Sequence, residues 1–71
     1  MSDDIIAYLI SRLLNAAEES SEEMKRNDSN LFAQGKNLAY YEMLDMLKSG
    51  IDMYDFPLQN YGLDQQLEKL L

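Results

Sequence analysis

Glu18, Glu19, Glu22 and Glu23 make the densest group of carboxylates in this sequence. On a helix, Glu18 and Glu22 fall one turn apart on one face, where two carboxylates can hold a divalent cation. Carboxylate-bridged metal bundles complete such a pair with Glu-x-x-His motifs, and the chain contains no His. Asp28-Ser29-Asn30 opens in the manner of a calcium loop, but Phe32 and Ala33 occupy its next acidic and glycine positions. Glu22 and Arg26 instead make the i,i+4 pair of a hydrated helix surface. Covalent catalysis fares no better. The chain lacks Cys as well as His, so its Ser, Lys and Tyr side chains have neither as a partner. It has no glycine-rich phosphate loop and no G-x-S-x-G turn. These residues predict a protein that is not an enzyme and holds no metal or cofactor. The four glutamates are then a solvated ridge.

A helix over about residues 3–25 is the element that carries the ridge. Ser2 can cap its start, and Asp3 and Asp4 favour the positive end of its dipole. Ile6, Ile10, Leu13, Ala17, Ser20 and Met24 recur at alternating spacings of four and three, the rhythm of a stripe that meets another helix. Ile5, Leu9, Leu14 and Ala16 widen the stripe to roughly 200°. One neighbouring helix cannot cover so wide a face. The polar run from Arg26 to Asn30 reads as a loop, in which Asp28, Ser29 or Asn30 can cap a second helix. That helix is expected over about residues 31–49. Phe32, Ala39, Met43, Met46 and Leu47 centre its apolar face, with Tyr40 and Leu44 at one edge and Asn37 on the polar side. Lys48 and Gly50 read as its stop, with Ile51 folding back on Met46. An irregular arm follows over 50–62, broken at Pro57 and turning at Asn60-Tyr61-Gly62. A short helix over about 63–71 is expected from Leu63, Leu67, Leu70 and Leu71.

The pattern therefore predicts one small all-α domain: an antiparallel helical hairpin with a short C-terminal helix or arm. Seventy-one residues hide little surface, so the expected completion is a four-helix bundle formed by dimerisation. The arm folding back to close a monomer is the alternative. Gly35 and Ala39 lie one turn apart and are predicted to meet Ala17 and Ser20 where the two helices cross, since a helical glycine costs about 1 kcal/mol without such a reason. Leu31, Leu38 and Tyr41 form a minor apolar strip, to be covered by the arm or by another chain.

Charge narrows the partners. Thirteen acidic and six basic residues give a formal −7, which repels nucleic-acid backbones and anionic membrane surfaces. The acidic N-terminus lacks the basic start of a secretory signal, and the apolar run Ile5–Leu14 is interrupted and too short to span a bilayer. A cytoplasmic location is expected. The expected role is an acidic protein–protein interaction protein of the adaptor, inhibitor or immunity type, binding a basic protein surface. Leu31, Leu38, Tyr41 and the ridge Glu18, Glu19, Glu22 and Glu23 are its candidate contacts. The alternative is a self-associating structural module with no separate ligand.

Helix 2 also carries Phe32-Ala33-Gln34-Gly35-Lys36-Asn37-Leu38-Ala39-Tyr40-Tyr41-Glu42-Met43-Leu44. This run resembles the Gly-Lys/Arg-x-x-Ala-Tyr-Tyr-Glu-x-Leu stretch of short helical-hairpin proteins from Gram-positive bacteria and their mobile elements. The resemblance covers about a third of the chain. It implies a bacterial hairpin and no particular activity.

Overall fold

The computed structural model describes residues 3–27 and 29–71. Helix α1 spans Asp3–Arg26 and helix α2 spans Leu31–Met53, packed antiparallel as a hairpin. Two short 3-10 turns, Leu58–Tyr61 and Leu67–Leu70, lie in the arm that follows. The expected cap Ser2 and the candidate Asp28 lie outside the described residues. Asn30 is the cap of α2, its side chain accepting the Ala33 N–H at 3.1 Å.

The stripe predicted on α1 is the one that faces inward. Ile10, Ala17 and Ser20 are buried, and Ile6, Leu13 and Met24 are half-buried. Leu14, expected at the flank, is buried as well because the arm closes over it.

On α2 the buried face is rotated from the expected one. Its centre is Ala33, Asn37 and Leu44, with Tyr40, Tyr41, Leu47 and Ile51 half-buried around them. Phe32 and Met46 are 75% and 67% exposed, and Ala39 and Met43 also face outward. The misplaced residue is Asn37, a polar side chain in the middle of the buried arc. Its Nδ2 donates to the Leu70 carbonyl at 2.7 Å, so burial here ties down the end of the arm.

Helix α2 also passes through Gly50 and ends at Met53. The stop lies at Asp55, whose φ of 62° is left-handed. Its N–H donates to the Asp52 carbonyl and the Phe56 N–H to the Ile51 carbonyl, the two bonds of a Schellman closure. Ile51, Met46 and Phe56 all border one apolar hollow at this end of α2. The same closure recurs at Gly62, with φ 73°: its N–H reaches the Gln59 carbonyl, and the Leu63 N–H reaches Leu58.

From there the arm runs back along the hairpin toward the α1–α2 loop, in one of the two grooves between the helices. Tyr61, Leu63, Leu67 and Leu70 are buried in it with Ile10, Leu14, Ala17 and Leu44. Leucine spacing thus pointed to Leu63, Leu67 and Leu70 as inward residues, but Leu71 is exposed, and the expected helix over 63–71 is replaced by a bend and the 3-10 turn Leu67–Leu70. The bend has its own partners. Gln65 Nε2 donates to the Gly62 carbonyl at 2.6 Å, and Lys48 Nζ to the Gln65 carbonyl at 2.7 Å. A segment this short gains more from those bonds than from one marginal helical turn.

Candidate interaction surface

The arm occupies only one side of the hairpin. At about 100° per residue, Tyr41 and Lys48 lie on the flank of α2 that meets the arm, and Phe32, Ala39, Met43 and Met46 on the other flank. The corresponding flank of α1 carries Ile5, Leu9, Leu13 and Ala16. Leu13, Met43, Met46 and Leu47 line a groove of ≈ 340 Å³ on this uncovered side. Met46 and Leu47 also border a deeper hollow of ≈ 510 Å³ with Ile6, Ile51, Tyr54 and Phe56, so the two are continuous. The rim is polar at the loop end, where Lys36 Nζ lies 3.7 Å from a Glu23 carboxylate oxygen.

The residues singled out by sequence separate in space. Ala17 and Ser20 are buried at the helix contact. Gly35 and Ala39 are not at that contact: a Cβ on Gly35 would meet nothing within 4 Å, and Ala39 is exposed. The strip divides too. Leu31 and Leu38 are exposed, whereas Tyr41 packs against the core beside the arm. Burial raises the Tyr41 phenol above its ordinary pKa, and the Glu68 and Asp45 carboxylates push the same way. Tyr41 therefore belongs to the fold.

Glu18, Glu19 and Glu22 are exposed and form no ion pair among the described residues; Glu23 has Lys36. The ridge gathers no third ligand. Among the described residues no cluster of three His, Cys, Asp or Glu side chains is placed to hold a metal, and no helix is long and apolar enough to cross a membrane.

The uncovered face was present in the sequence under another assignment. Phe32, Ala39, Met43 and Met46 share one face of α2 as the period implies, but that face is not the centre of the buried arc. Their period told which residues share a side, and only the path of the arm told which side is covered. Comparison with protein-family models, with curated proteins and with solved structures found no match in any of the three.

Proposed function

We propose that the chain is a non-catalytic protein–protein interaction module that works as a homodimer, two hairpins pairing their uncovered faces into a four-helix bundle. One observation carries this reading: the arm fills one groove of the hairpin, and the opposite groove is bare while lined by Leu13, Met43, Met46 and Leu47. Exposed apolar side chains scattered singly are ordinary, but these are contiguous across two helices. Ile5, Leu9, Phe32 and Met46 are exposed on the same flanks of the two helices.

A second copy is the occupant with a matching shape. It brings an identical groove, and a two-fold contact is self-complementary by construction. The chain's radius of gyration, 12.8 Å, also exceeds the about 11 Å of a compact domain of this length, consistent with a thin body completed by another.

The acidic ridge supports a second role. Glu18, Glu19 and Glu22 are exposed, form no ion pair among the described residues and stay outside such a bundle. They suit an adaptor, inhibitor or immunity-type protein that meets a basic protein surface. Exposed pairs there contribute only about 0–1 kcal/mol each, so the ridge steers encounter more than it holds.

Sedimentation equilibrium tests the dimer. Wild type is expected as a dimer at high micromolar concentration. Met46→Glu, at a side chain 67% exposed in the free chain, buries a charge in the interface and is expected to be monomeric with unchanged helix content. A single 8.2 kDa species for wild type at every concentration removes the reading.

A further inference from the structure

With no Cys in the chain, its methionine thioethers are its only sulfurs, and two of them stand in the uncovered groove. Met46 is 67% exposed and Met43 39%, and both adjoin Leu13 and Leu47. We propose that Met43 and Met46 are a redox-modification site, at which a hydroperoxide converts the thioethers to sulfoxides and thereby separates the homodimer without unfolding the hairpin. The inference rests on the dimer reading given above.

The chemistry needs only the oxidant. A sulfur lone pair attacks the terminal peroxide oxygen, and an S–O bond forms as the O–O bond breaks. Sulfur gives up two electrons, and the departing oxygen takes the hydroperoxide proton and leaves as water or an alcohol. The product carries a sulfinyl oxygen, a strong acceptor. Leu13 and Leu47 offer that oxygen no side-chain donor, so in a closed interface it is a buried unsatisfied acceptor. In the separated chain, water satisfies it. The sulfoxide thus binds the two states differently, which is the condition for shifting an equilibrium.

Location makes the effect specific. Met53 is 71% exposed at the end of α2 and lines neither the groove nor the hollow beside it. Met24 is half-buried at the loop end, near Lys25 and Asn37. Oxidation at Met53 adds polarity where water already is. In the dimer Met43 and Met46 are covered, so peroxide reaches them through the dissociated chain, and their oxidation slows as protein concentration rises.

Hydrogen peroxide is the probe, with peptide mass mapping for site occupancy, sedimentation equilibrium for assembly and circular dichroism for helix content. Sulfoxidation at positions 43 and 46 is expected to raise the dimer dissociation constant at least tenfold at unchanged helix content. Met43→Leu/Met46→Leu is expected to stay dimeric under the same treatment, and Met46→Gln to weaken the dimer without peroxide. A wild-type dimer that survives full sulfoxidation at both positions overturns this site while leaving the dimer intact. So does a Met46→Gln chain as tightly dimeric as wild type, or a double-leucine variant that dissociates on treatment. An untreated wild type that is monomeric throughout overturns the dimer reading, and the site with it.

Discussion

Asp55 holds the left-handed conformation that closes α2, where a β-carbon is unfavourable and glycine is the usual occupant. Asp55→Gly removes that strain at some cost in unfolded-chain entropy. It is expected to raise stability by about 0.5–1 kcal/mol, read as a higher urea midpoint at constant slope. Gly62 fills the same role with the favoured residue, and there a Cβ would also lie 3.2 Å from Leu14 Cδ1. Gly35 has no such reason within the chain. It was expected at a close helix crossing, but no atom lies within 4 Å of a Cβ there. Gly35→Ala is therefore expected to stabilise the isolated chain by about 0.5–1 kcal/mol through helix propensity. A fall in melting temperature for Gly35→Ala at a concentration where the chain is monomeric would contradict this placement.

Helix α1 was legible because its apolar residues form one arc and its charges the opposite one. Helix α2 carries two apolar arcs, and local period cannot rank them. Phe32, Ala39, Met43 and Met46 make the more apolar arc, yet the core uses the one containing Asn37, whose Nδ2 donates to the Leu70 carbonyl while its Oδ1 is buried without a hydrogen-bond partner among the described residues. That bond joins residues far apart in sequence, so no local pattern announces it. The arm was half legible: its leucines were found, while its 3-10 geometry depends on Lys48 reaching the Gln65 carbonyl. The candidate surface followed the same division, its residues visible and its exposure not. Tyr41 marks the contact between α2 and the arm and makes it testable by pH. The folded chain holds the phenol proton more tightly than the unfolded chain, whose tyrosine titrates near its ordinary value of 10.0. The associated stability is present below that pH and is lost as pH rises through the higher folded value. Between pH 9 and 11 wild type is expected to lose more stability than Tyr41→Phe, measured as the difference in urea midpoints. Equal losses would mean that the phenol is hydrated alike in both states.

At the scale of the whole molecule, apolar area and net charge act in opposite directions on assembly. Pairing the uncovered faces removes Leu9, Phe32, Met43 and Met46 from water, which favours the dimer. Pairing also brings together two chains that each carry a formal −7, which opposes it. Salt separates the two contributions. At 0.1 M the screening length is about 10 Å, so repulsion between the outward-facing ridges weakens while apolar burial does not. The dimer is therefore expected to tighten as sodium chloride rises from low to moderate concentration. Because folding and pairing are linked, the melting temperature should also climb with protein concentration. The proposed recognition of a basic surface by Glu18, Glu19 and Glu22 would have the reverse dependence, since its attraction would be screened by the same ions. Melting curves across a hundredfold range of chain concentration, at two salt levels, distinguish these forces in one experiment. A melting temperature that rises with both variables assigns the assembly to the uncovered face. One that is independent of concentration means that the arm alone completes the fold, and that Phe32 and Met46 remain in water.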